Sequence, residues 1–131
     1  MKKYIFTIII GFMLTSCDPG SDCSVYVKNN CIDTISVMIT QKYFYDRPSE
    51  TIITHILPSE NILVLKDLVL DTPPELDFIQ RYFFSTITIT KLNDTSRIDF
   101  MNPLLWELTT NQIGKNFDAK YILTVNPENF E

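Results

Sequence analysis

The sequence predicts a mainly-β protein: a single antiparallel β-sandwich of about seven short strands, with one short helix inserted near residues 73–82. Three observations carry that expectation. Thr34–Thr40 alternates strictly between its two faces and Phe83–Thr90 returns to period two, the period of a half-buried strand. Turn-forming clusters cut the chain at short intervals: Asn29-Asn30, Pro58-Ser59-Glu60-Asn61 and Asn93-Asp94-Thr95-Ser96. Helical spacing occurs in one stretch, where Leu76, Ile79 and Phe83 follow Thr72-Pro73-Pro74-Glu75, a sequence with the form of a capping box and proline in the first turn.

Taken in order, Val25–Lys28 and Thr34–Thr40 read as two strands of a hairpin around Asn29-Asn30. In the second strand Ile35, Val37 and Ile39 share one face, and Thr34, Ser36, Met38 and Thr40 share the other. Tyr43–Glu50 is a loop rich in aromatic and turn residues, Thr51–Leu57 a strand, and Ile62–Leu70 a more continuous apolar strand suited to a central position. The run Phe83–Thr90 places Phe83, Ser85, Ile87 and Ile89 on one face and Phe84, Thr86, Thr88 and Thr90 on the other. Residues 103–110 fit either a helical turn started by Asn102-Pro103 or a strand from Trp106 to Asn111. Gln112–Asp118 reads as a loop, Tyr121–Val125 as the last strand, and Pro127–Glu131 as a tail. Trp106, the single tryptophan among apolar neighbours Leu104, Leu105 and Leu108, is the expected core anchor.

The N-terminus follows a different logic. Lys2 and Lys3 precede an 11-residue apolar run, Tyr4–Leu14, which Leu14-Thr15-Ser16-Cys17 closes. That order of charge, short apolar segment and small residues is the pattern of a secretory signal, and the run falls short of the roughly 20 residues a membrane span needs. The ending resembles the lipobox of bacterial lipoproteins. The resemblance implies cleavage before Cys17, acylation of Cys17, and anchoring by a diacylglyceryl group stable enough to need no transmembrane helix. Three segments result: 1–16 a signal peptide, 17–23 a lipidated tether and 24–131 the sandwich domain. The two acids Asp18 and Asp22 partly match the surface-export signal of small lipoproteins from gut-associated Gram-negative bacteria, so either face of the outer membrane fits.

Removing 16 of the 131 residues leaves 115, enough for one core, and takes the formal charge from −5 to −7 because Lys2 and Lys3 leave. So acidic a surface repels nucleic acid and anionic head groups, and membrane association is expected through the lipid alone. In an oxidising envelope Cys23 and Cys31 form an even pair, expected as a disulfide worth about 2–3 kcal/mol, with inert thiols as the alternative.

The mature part is similar to a loose group of small envelope lipoproteins with immunoglobulin-like domains. The likeness rests on Asn29-Asn30 before Asp33-Thr34-Ile35, and on Trp106-Glu107 late in the chain. Asp33-Thr34-Ile35 also resembles the Asp-Thr-aliphatic acceptor of O-glycosylation in the same bacteria, which makes Thr34 a candidate. No enzyme, cofactor or metal is expected. The sole histidine, His55, sits mid-strand, the three glycines at 11, 20 and 114 build no phosphate loop, and the acids Asp71, Glu75, Asp77, Asp94 and Asp99 suit a helix start and a turn. The candidate binding surface is an aromatic and hydroxyl platform formed by Tyr43, Phe44, Tyr45, Phe84, Thr86, Thr88 and Thr90, for a protein or a glycan. The expectation is a lipid-anchored, non-catalytic binding module, with an inhibitor or immunity-type lipoprotein as the alternative.

Overall fold

A computed structural model describes residues 20–42, 48–70 and 72–131. The chain is a β-sandwich of two four-stranded sheets. Eight strands build it: β1 Ser21–Asn29, β2 Ile35–Gln41, β3 Thr51–Ile56, β4 Asn61–Leu70, β5 Phe84–Lys91, β6 Asp94–Thr95, β7 Trp106–Ile113 and β8 Asn116–Val125. Sheet A has the order β4-β1-β8-β7 and sheet B the order β3-β2-β5-β6. All neighbours are antiparallel except β1 and β8, which run parallel from Ser21 opposite Phe117 to Asn29 opposite Val125. The layers are the immunoglobulin-like ones expected. The order is the chain's own, since immunoglobulin constant domains place their first two strands in one sheet and here β1 and β2 lie in opposite sheets.

Alternation explains the layering. Ser21, Cys23, Val25, Val27 and Asn29 of β1 point inward, as do Ala119, Tyr121, Leu123 and Val125 of β8. Ile35, Val37 and Ile39 of β2 meet them from sheet B with Ile56, Phe84, Ile87 and Ile89. At about 25 cal/mol per Å² of apolar surface, this interlayer core is the main source of stability. Among the described residues no helix is long and apolar enough to cross a membrane.

Several expectations are corrected. Asn29-Asn30 does not close a hairpin: both edges of β1 are occupied, by β4 and β8, so the chain crosses to the other sheet before β2 begins. Asn29 makes that crossing rigid. Its buried carboxamide donates to the carbonyls of Asp33 (2.8 Å) and Ile56 (3.0 Å) and accepts from the Cys31 amide (2.8 Å). β1 also begins at Ser21, so residues 21–23, assigned to a tether, are part of the sheet, with Cys23 fully buried.

The helix near 73–82 contracts to one π-helical turn, Ile79–Phe83, whose first residue is preceded by Phe78 with no side-chain cap. The capping-box reading fails because no helix starts at Thr72: the carbonyls of Thr72 and Glu75 accept from distant side chains, and the helical turn begins only at Ile79. The Thr72 carbonyl accepts from Ser21 Oγ, and the Glu75 carbonyl accepts from Tyr121 Oη at 2.5 Å. Residues 73–75 carry no regular structure, and a turn at 76–77, where the Phe78 amide donates to the Glu75 carbonyl at 3.3 Å, leads into the helical turn. Residues 103–110 divide between the two readings. Pro103–Leu105 is a 3₁₀ turn capped by Asn102, whose Oδ1 accepts from Leu104 N at 3.0 Å, and β7 starts at Trp106. Gln112–Asp118 is a tight hairpin rather than a loop, because Gly114 supplies the turn at φ +63° and β8 starts at Asn116.

Trp106 is buried as expected, its indole NH donating to the Phe100 carbonyl at 2.8 Å and its ring 6.3 Å from that of Phe84. Trp106→Ala should lower unfolding free energy by about 3–5 kcal/mol in urea titration, and native emission should be blue-shifted and poorly quenched by acrylamide. Asn29→Asp should cost about 3 kcal/mol or more in the same titration, because a carboxylate cannot donate to the two carbonyls that face it.

Candidate functional site

Ser36, Met38 and Thr40 of β2 point away from the core, and the register of sheet B aligns them with residues of both neighbours. Ser36 stands between His55 and Thr90, Met38 between Ile53 and Thr88, and Thr40 between Thr51 and Thr86. Strand spacing of about 4.8 Å and a side-chain repeat of roughly 6.6 Å make these three rows a flat grid. Thr95 of β6 extends the first row beside Thr90. Side chains bond across the strands: Ser36 Oγ lies 2.7 Å from His55 Nδ1, and Thr40 Oγ1 lies 3.1 Å from Thr51 Oγ1. The middle row is apolar and open, with Ile53 61% and Met38 38% exposed. No Asp, Glu, Lys or Arg stands in the grid, although the chain as a whole is acidic.

Of the expected platform, Thr86, Thr88 and Thr90 lie on this face. Phe84 does not: it is fully buried against Trp106. The reason is a β-bulge. Thr40 pairs with Thr86 but Gln41 pairs with Phe84, so Ser85 is an extra residue on β5 that turns Phe84 to the core side. Ser85 Oγ donates to the Thr40 carbonyl at 3.1 Å and fixes the kink. Cys17, Tyr43, Phe44 and Tyr45 lie outside the described residues. Sequence reading missed the contribution of β3. Its alternation was visible, but the register that sets Ile53 beside Met38 and His55 beside Ser36 is a tertiary fact.

The end of the sandwich where β1 stops is formed by three turns. Thr34, exposed just before β2, is accessible at its hydroxyl. One step beyond the last paired row, the register sets it between Leu57 and Leu92. Leu92 is 77% exposed with φ +53°, a left-handed backbone that costs a leucine about 1 kcal/mol or more. Beside it, Asp33, Lys91, Asn93 and Asp94 line a shallow open hollow of about 470 Å³. Of the candidate acids, Glu75 and Asp77 pair with Arg81, Asp99 Oδ1 accepts from the Met101 amide, and Asp71 lies outside the described residues. Among the described residues no group of three or more His, Cys, Asp or Glu is placed to hold a metal ion. Gln80 is buried, and among the described residues neither of its side-chain polar atoms has a partner.

The expected disulfide is absent, and both cysteines are free thiols. Cys23 lies inside β1 and Cys31 two residues past its end, so an extended strand holds them roughly 20 Å or more apart, against the 7 Å limit for a bridge. Burial, then the nearby charges of Asp22 and Asp118, push the Cys23 thiol up to about 11. Burial likewise raises Cys31, partly offset by Lys91, and raises the Tyr121 hydroxyl beyond the usual tyrosine range. Both thiols are therefore protonated and inert at neutral pH.

No protein-family model matches the chain, and neither the curated proteins nor the solved structures contain a match.

The thiol shift fixes an alkaline limit. Cys23 ionises near 9.0 when unfolded but holds its proton to about 11 when folded. Stability from this group is thus complete below pH 9 and falls as pH rises toward 11, by roughly 1–3 kcal/mol. Chemical denaturation from pH 8 to pH 10 should show the decline, and Cys23→Ala should lessen it, with the buried Cys31 thiol supplying the remainder.

Proposed function

We propose that the protein is a lipid-anchored component of the cell envelope that binds a protein or a glycan, without catalysis, on the outward face of sheet B. The observation that carries this reading is an uncharged grid on an acidic chain. Hydroxyls of Ser36, Thr40, Thr51, Thr86, Thr88 and Thr90 supply donors and acceptors, and Met38 with Ile53 supplies an apolar centre. A face with apolar middle and hydroxyl borders suits a sugar ring or a mixed peptide surface, and it pays no penalty for desolvating ions. The Lys2 to Cys17 pattern supports the anchor, with the lipid on Cys17 as the membrane partner in the outer membrane or at the cell surface. The exposed Thr34 hydroxyl supports O-glycosylation there.

The inhibitor or immunity-type reading has its own support in Leu92. A two-residue turn that holds a leucine outward in a strained conformation is a rigid wedge suited to an enzyme cleft.

One set of variants separates these readings. Alkyne fatty acid fed to cells should label the protein and fail to label Cys17→Ala. Partners or glycans retained by the purified protein should be lost, about tenfold or more in affinity, in Thr88→Arg and kept in Leu92→Asn. The reverse pattern rejects the sheet face in favour of the wedge, and label on Cys17→Ala rejects the anchor.

A further inference from the structure

Among the described residues, the outer edge of β3 pairs with no strand. Gln41 N donates to the Glu50 carbonyl at 2.7 Å, which makes 41 and 50 a hydrogen-bonded pair. Antiparallel pairing alternates, so 39 with 52, 37 with 54 and 35 with 56 are bonded too, whereas 40 with 51, 38 with 53 and 36 with 55 are not. The amides and carbonyls of Thr51, Ile53 and His55 therefore point away from β2. Among the described residues no strand pairs with them.

The other sheet edges carry protection that this one lacks. β4 is bulged against β1 and includes Lys66 and Asp67, β6 is only two residues long and includes Asp94, and β7 includes Glu107. Charges, bulges and shortness are the usual devices against edge pairing. β3 reads Thr-Ile-Ile-Thr-His-Ile, with no charge, no proline and an unbroken register over all six residues.

We propose that β3 is the interface with a second copy of this chain, paired antiparallel to itself about a two-fold axis through Ile53. The register follows from the groups that point outward. Setting Ile53 opposite the second copy's Ile53 sets Thr51 opposite His55 and His55 opposite Thr51, and all three pairs are of the bonded type, giving six backbone hydrogen bonds. Moving the axis to Ile52 or Thr54 keeps only two of these bonded pairs and four hydrogen bonds, and an axis between two residues sets the outward groups against inward-pointing ones. The side chains agree with this register. Met38 already adjoins Ile53, so the central row continues as Met38, Ile53, Ile53 and Met38 across the two copies, and the rows on either side carry hydroxyls and histidine. Neutrality suits a second copy, because two chains of net charge −7 after cleavage before Cys17 meet here with no Asp or Glu on either β3. The result is one eight-stranded sheet with no free edge at its centre. This inference stands whether or not the grid binds a ligand.

The test uses the whole chain, purified in mild detergent, with sedimentation equilibrium as the readout. A dimer is expected, and Ile53→Lys, which sets two like charges face to face at the axis, should raise the dimer dissociation constant by about 100-fold or more. Ile53 is largely exposed, so the variant should stay folded, with the parent's far-ultraviolet circular dichroism spectrum. Ile53→Cys should give an intermolecular disulfide at the substituted position by peptide mapping, whereas Thr51→Cys should link only when mixed with His55→Cys. A monomeric parent chain overturns the proposal. So does association that Ile53→Lys leaves unchanged, or Thr51→Cys linking readily to itself.

Discussion

Asn29 is the constraint on which the arrangement of the two sheets depends. It is the last residue of β1 and points into the core, where an apolar side chain completes the alternation of Val25 and Val27. A carboxamide stands there instead, and every group around it is committed. Its side chain binds the amide of Cys31 and the carbonyls of Asp33 and Ile56, its backbone amide donates to the Glu60 carbonyl, and its carbonyl accepts from the Ser59 amide. One residue thus fixes the crossing from sheet A to sheet B, the end of β3, and the turn into β4. Unmade buried hydrogen bonds are costly, so these elements hold or loosen together.

The two-faced character of sheet B follows from that anchoring and from one irregularity. With β2 placed by the crossing, its inward residues meet β1 and β8, and its outward residues are free of the core. The bulge at Ser85 then lets β5 serve two needs at once. Phe84 enters the core beside Trp106, and Thr86, Thr88 and Thr90 remain outward. A regular strand with the same sequence sends Phe84 out beside the threonines and leaves Trp106 with a smaller neighbour. The threonine face is uninterrupted because the sheet spends its one defect at its border.

Periodicity made much of this legible, and tertiary competition hid the rest. The faces of β2 were readable because strict alternation leaves one solution, and Trp106 because a lone tryptophan among leucines has few stable exposed positions. Thr72 to Glu75 carries the local signature of a helix start, but Ser21 and Tyr121 claim its carbonyls, and a partner some 50 residues distant leaves no local mark. The Asn29-Asn30 pair has hairpin chemistry, and the parallel neighbour β8, supplied by the far end of the chain, took the place of the expected partner. Compartment and number pair Cys23 with Cys31, arguments blind to the strand that carries the chain from Cys23 to Asn29 before Cys31 is reached. Phe84 was misplaced by one inserted residue, which inverts every alternation argument beyond it.

The proposed anchor and the proposed self-pairing constrain each other geometrically. A two-fold axis through Ile53 runs perpendicular to sheet B, and antiparallel pairing turns the second sandwich end for end. The two chains then enter their β1 strands at opposite ends of the dimer. Cys17 precedes Ser21 by four residues, a tether of at most about 14 Å. Both lipids reach one bilayer only if the strands lie along the membrane and the axis stands normal to it. β1 belongs to sheet A, so the tethers leave from that layer and bring it to the membrane side. Sheet B then faces away from the bilayer, and its uncharged grid, doubled across the axis, is the surface presented outward. A tether leaving from sheet B would bury that same face against the head groups.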